Sequence, residues 1–77
     1  MVAPRSRRIW HAEARALVEA LEEEGAWQTA LRVRVAQGEA LRRRPDGTAF
    51  DYRVTREDAA TLAVTLARVR AGDVRRN

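Results

Sequence analysis

Hydrophobic positions along this chain follow two different intervals. Trp10, Ala14, Leu17, Val18 and Leu21 recur at helical spacing, with Arg15, Glu19, Glu22 and Glu23 between them. This predicts an amphipathic helix over about 7–24. Ser6 stands where an N-cap belongs, and Gly25 where a helix can end in a left-handed residue. From Thr29 the interval changes to two. Leu31, Val33 and Val35 alternate with Arg32, Arg34 and Ala36, the pattern of a half-buried strand. Gln37-Gly38 reads as a turn and residues 39–44 as a second strand. Pro45-Asp46-Gly47 is a firmer turn, because proline presets φ and glycine accepts positive φ. Phe50, Tyr52 and Val54 then alternate with Asp51 and Arg53 in a third strand. Thr55-Arg56-Glu57-Asp58 matches the Thr-x-x-acid capping signature ahead of a last helix. The apolar face of that helix is Ala59, Leu62, Ala63, Leu66 and Val69, with Asp58, Thr61, Thr65 and Arg68 opposite and Gly72 at its end.

The expected order is therefore α-β-β-β-α. It is an α+β fold with a three-stranded antiparallel meander and both helices packed on one face, since the connections are too short for parallel crossovers. Residues 1–7 read as a flexible basic arm, 8–72 as a single α+β domain and 73–77 as a basic tail. Both tryptophans are expected at least partly in the core, Trp27 plugging the junction of helix and sheet and Trp10 the better candidate of the two for an exposed contact. A core of this size gives marginal stability to a monomer. That favours a homodimer, formed through an edge strand or an apolar helix face left over by the fold.

The 77 residues carry 45% hydrophobic and 34% charged side chains, a globular balance rather than a disordered one. No apolar run approaches the ~18 residues of a membrane span, so the expectation is a cytoplasmic protein without a membrane partner. There are no cysteines, one histidine (His11) and one serine (Ser6). Disulfides, thiolate metal sites and most hydrolytic machinery are thereby excluded. No phosphate-binding glycine loop, metal-ligand spacing or nucleophile motif is present, so no cofactor, metal or catalytic residue is assigned and the chain reads as a non-enzyme.

The net charge is +4, and all fifteen cationic residues are arginine, matched by fifteen alanines. Both residue types have GC-rich codons, so position must carry the functional argument. On the expected meander, Arg32, Arg34, Arg42, Arg44 and Arg53 would share the open sheet face, Arg7 and Arg8 would assist from the N-terminal arm, and Arg42-Arg43-Arg44 would form a basic hairpin tip. Guanidinium forks match phosphate oxygens, so this surface predicts nucleic-acid binding through the backbone. The alternative is an accessory or inhibitory protein, of the kind phages and mobile elements encode, that homo-oligomerises and docks on an acidic protein surface. Glu22, Glu23 and Glu24 oppose the macrodipole of the first helix, and with Trp10 they are the candidate protein-interface residues.

The α-β-β-β-α order over about residues 8–71 is similar to that of double-stranded-RNA-binding domains and of HicA-type toxins. The first carry a lysine-rich N-terminus on the last helix, where this chain has Thr55-Arg56-Glu57-Asp58. The second depend on a histidine in the strand region, where this chain has none. The stretch from Asp46 to Gly72 looks like the strand-helix segment through which H-NS-like actinobacterial nucleoid proteins oligomerise. No family is claimed, and no functional residue is carried over.

Overall fold

Residues 5–10 form a strand rather than the start of a helix, and the rest of the topology follows from that exchange. The computed structural model describes residues 5–72. Its elements are β1 (Arg5–Trp10), α1 (His11–Glu23), α2 (Trp27–Arg43), β2 (Ala49–Val54) and α3 (Ala59–Arg70). β1 and β2 make a two-stranded antiparallel ribbon, with Arg5 opposite Val54, Arg7 opposite Tyr52 and Ile9 opposite Phe50. The order is β-α-α-β-α, not α-β-β-β-α. The three-stranded meander is absent, and the comparison with double-stranded-RNA-binding domains and HicA-type toxins falls with it.

The decisive segment is 27–43. Its apolar alternation belongs to two faces of a helix rather than one face of a strand. Val33 is fully buried, whereas Leu31 and Val35 point away from the core, 59% and 51% exposed. Residues two apart on a helix lie about 200° apart around its axis, so a helix separates Val33 from its neighbours. Between Ala26 and Pro45 the only strong helix breaker is Gly38, and alanine, leucine, arginine, glutamine and glutamate dominate. Gln37-Gly38 is accordingly helix interior, and 39–43 is its last turn rather than a strand.

With 27–43 helical, β2 needs another partner, and residues 5–10 supply it. Ile9 is fully buried opposite Phe50. Ser6, expected as an N-cap, pairs with Arg53 in the ribbon. The α1 N-terminus is instead closed at Trp10, whose backbone N–H donates to Glu13 Oε2 at 3.0 Å. Arg5 and Arg7 of the expected arm therefore belong to β1, while residues 1–4 and the tail 73–77 lie outside the described residues.

α1 packs against both α2 and α3, and Ala14, Leu17, Val18 and Leu21 form the centre of the core. Ile9, Ala30, Val33, Phe50, Tyr52, Leu62 and Leu66 converge on them from the other four elements. The α1–α2 corner is a Schellman turn. Gly25 has φ +83°, and the N–H groups of Ala26 and Gly25 donate to the carbonyls of Leu21 and Glu22 at 2.8 and 3.0 Å. Pro45-Asp46-Gly47 closes a β-turn in which Gly47 N–H donates to Arg44 O at 3.0 Å. The capping signature at 55–58 is reciprocal: Thr55 N–H donates to Asp58 Oδ1, and Asp58 N–H to Thr55 Oγ1. On α3, Thr65 is buried beside Leu62 and Leu66 rather than facing solvent. Its hydroxyl donates to Glu24 at 2.9 Å.

Candidate functional site: an arginine-lined groove

The arginines divide into two populations. Arg32 and Arg34, expected side by side on a sheet, leave α2 on opposite flanks and face different elements. Arg32 Nε donates to Asp58 Oδ2 at 3.3 Å, and Arg34 meets Glu22 at 2.7 Å. Arg68 bonds to Glu24 at 3.0 Å. Arg70 takes both oxygens of Glu13, at 3.1 and 2.8 Å, and also the Arg8 carbonyl. Two of the three glutamates that oppose the α1 dipole are thus neutralised by cations from α2 and α3. Glu23 is exposed.

Asp58 is the most constrained of these partners. It is 1% exposed and accepts from Tyr52 Oη at 2.6 Å, from Thr55 N–H and from Arg32. Burial alone would raise its carboxyl, but the hydrogen bonds from Tyr52, Thr55 and Arg32 outweigh that and hold it below its ordinary value. Burial, and then the adjoining carboxylate, push the Tyr52 hydroxyl up to about 12. The hydrogen bond from Arg70 likewise holds Glu13 low against its partial burial.

Arg5, Arg7, Arg42, Arg43, Arg44, Arg53 and Arg56 have no ion pair among the described residues. Three of them meet at one place. Arg43 and Arg44 from the end of α2, Arg53 from β2 and Arg8 from β1 line an open groove of about 780 Å³. Ala36, Ala40, Gly47 and Ala49 also line it, and these small residues leave the depression between the arginines. Arg8 is held by its cross-strand neighbour Asp51 at 3.4 Å. Glu39 is the other carboxylate in the lining, so four guanidinium groups face two acids. His11 completes the site. Its ring stacks on Phe50, centroids 5.1 Å apart, and Nδ1 sits 3.0 Å from Gln37 Nε2.

Of the residues singled out from sequence, Arg8, Arg44 and Arg53 come together here. Arg43, which the strand register would have turned to the other face, joins them. Arg42 lies on the outer side of α2. Arg7 is half-buried on β1, and Arg32 and Arg34 are paired with Asp58 and Glu22. Trp10 is 48% exposed. Trp27 does not plug the helix–sheet junction and is 63% exposed, because α2 starts there with its indole turned outward. The buried Asp58 and the Glu13–Arg70 clamp were not foreseen. The first is marked in sequence only by the capping signature, and the second by nothing local.

Among the described residues, no group of three or more His, Asp or Glu side chains could hold a metal ion. No helix of the described residues is long and apolar enough to cross a membrane. No protein-family model matches the chain, and comparison with curated proteins and with solved structures gives no match.

Proposed function

We propose that this protein is a non-enzymatic binding module that holds nucleic-acid phosphates in the groove between the end of α2 and the β-ribbon. One observation carries the reading. Arg43, Arg44 and Arg53 bring three guanidinium groups to one concavity with no ion-pair partner among the described residues. Placing fixed cations near one another is unfavourable unless an anion or solvent compensates them. The fork geometry of arginine suits phosphate oxygens, and a groove rather than a flat face lets several forks address one strand. Arg43 and Arg44 also sit where the α2 macrodipole favours cations, so the fold tolerates them without a carboxylate. Arg8 can exchange Asp51 for a phosphate.

Backbone recognition of this kind is sequence-tolerant and strongly salt-dependent. Three phosphate contacts imply that affinity for duplex DNA falls about 40-fold between about 50 and 200 mM salt. Fluorescence-anisotropy titrations of labelled duplex DNA and duplex RNA at both salt concentrations test this. Replacing Arg43, Arg44 and Arg53 with alanine should remove most of the affinity and flatten the salt dependence. Arg32→Ala should leave the salt slope unchanged. Absence of binding to either duplex at the lower salt would overturn the reading.

A further inference from the structure

The outer face of α2 carries a second feature that the groove does not use. Trp27, Leu31 and Val35 stand at intervals of four, 63%, 59% and 51% exposed. Gly38 and Arg42 continue the same seam at intervals of three and four, the spacing by which a helix presents one line of contact. Gly38 is inside the helix, where glycine is among the poorest formers. A Cβ at this position would meet nothing within 4 Å, so no neighbour within the described chain requires its absence. A glycine on an otherwise apolar seam permits close approach by another backbone.

We infer that a second copy of this chain covers the seam, the two α2 helices crossing antiparallel about a twofold axis near Val35. The seam is self-complementary under that operation. Leu31 and Gly38 are placed symmetrically about the axis, so each leucine faces the partner's Gly38, large against small. Trp27 and Arg42 are symmetric in the same way, which sets a guanidinium over the partner's indole. Antiparallel pairing also brings each flank against its own counterpart. Arg32 and Glu39 share one flank, so Glu39 lies near the level of the partner's Arg32, a cation also bonded to Asp58 within its own chain. Glu39 and Arg42 have no ion pair within the described residues. A parallel crossing would instead set Arg42 against Arg42 on the seam, which like-charge repulsion disfavours.

The seam opens on one side into a mainly apolar groove of about 360 Å³ in which Leu31, Val35, Ala36 and Tyr52 are joined by Arg32, Glu39 and Arg53, and this extends the surface a partner can cover. The exposed apolar side chains amount to on the order of 300 Å² per copy, the scale of the largest patches on ordinary monomers. A standard interface buries about 800 Å² per partner, so the pair is expected to dissociate reversibly, at micromolar concentrations. This association neither requires the phosphate reading nor supplies it. The two surfaces adjoin, since Ala36, Glu39 and Arg53 line both grooves.

Sedimentation equilibrium of the full chain from about 1 to about 200 µM tests the inference, since mass action then moves the population between monomer and dimer. The expected result is a monomer that becomes a dimer across this range. Val35→Glu should stay monomeric throughout with an unchanged circular-dichroism spectrum, because Val35 is outside the core. Gly38→Ala should raise the thermal midpoint of the dilute monomer while weakening the dimer at least tenfold. The chain has no cysteine, so oxidation of a Val35→Cys variant reads the axis directly. It should give a covalent dimer, and Val64→Cys, exposed on α3, should not. A monomer at every concentration, or a dimer indifferent to Val35→Glu, overturns the inference. A dimer left equally tight or tighter by Gly38→Ala, or equal cross-linking at residue 64, overturns it as well.

Discussion

Arg32 and Arg34 near the start of α2 each face a carboxylate brought by another element, whereas Arg43 and Arg44 at its end face an open groove. The residue type and the helix are the same. The difference lies in what the topology delivers. α1 and the cap of α3 bring Glu22 and Asp58 to the first half of α2, and at the other end the β-ribbon brings mainly Arg8 and Arg53. Cations neutralised inside the chain hold elements together, while cations left uncompensated at one concavity are available to an external anion. The contrast implies that stability and polyanion affinity respond to different arginines, and it can be tested from both sides.

The largest effect on stability belongs to Asp58. Asp58→Ala leaves the buried Tyr52 hydroxyl without its acceptor and removes the carboxylate facing Arg32, and should cost about 3 kcal/mol in urea unfolding. The same cluster sets the pH dependence. Asp58 and Glu13 have lowered values in the fold, so their contribution is complete above about pH 5 and is lost as the pH falls through those values. Tyr52 has the opposite sign. Its raised value means a contribution complete below about pH 10 and lost as the pH climbs toward about 12. Thermal midpoints measured across pH should therefore fall at both extremes, and Tyr52→Phe should remove the alkaline decline that follows phenolate formation.

Next in size is the Arg70 clamp. It holds Glu13 through both carboxylate oxygens and reaches the Arg8 carbonyl as well, so it ties the end of α3 to β1 and the first turn of α1. Arg70→Ala should cost about 1 kcal/mol by chemical denaturation, more than an isolated surface pair, because two oxygens and a carbonyl lose a donor at once.

This ordering also explains what could be read from sequence. β2, α3 and the body of α1 were legible because each shows one periodicity, and Gly25 and Pro45-Asp46-Gly47 mark their turns by local chemistry. α2 was not, because it is apolar on two faces. Val33 faces the core and Leu31 and Val35 face outward, which reproduces the alternation of a strand over a short window. Only the length of the breaker-poor run argues otherwise. β1 was hidden because its single buried residue, Ile9, gives no pattern among arginines, and its pairing with β2 runs from Arg5 with Val54 to Trp10 with Ala49, far beyond any local window. The site suffered the same error. Arg44 and Arg53 were singled out, but on a sheet face that does not exist, and the grouping with Arg43 depends on α2 ending beside the ribbon.

The smallest effect on stability sharpens the comparison most. Arg34→Ala breaks a pair in which the arginine side chain is 58% exposed, and exposed pairs contribute about 0.5 kcal/mol or less. Joint replacement of Arg43, Arg44 and Arg53 should change stability by no more than about 0.5 kcal/mol in either direction, since no ion pair in the described chain is broken. If relief of their mutual repulsion dominates, the variant gains stability. Yet this is the change expected to abolish most phosphate binding, whereas Arg34→Ala should leave the salt slope untouched. Paired urea titrations and anisotropy measurements on the two variants therefore separate the roles. If the triple variant loses both stability and affinity, the groove arginines are structural after all and the division along α2 fails. Lost affinity with retained stability is the pattern of cations kept for a partner outside the fold.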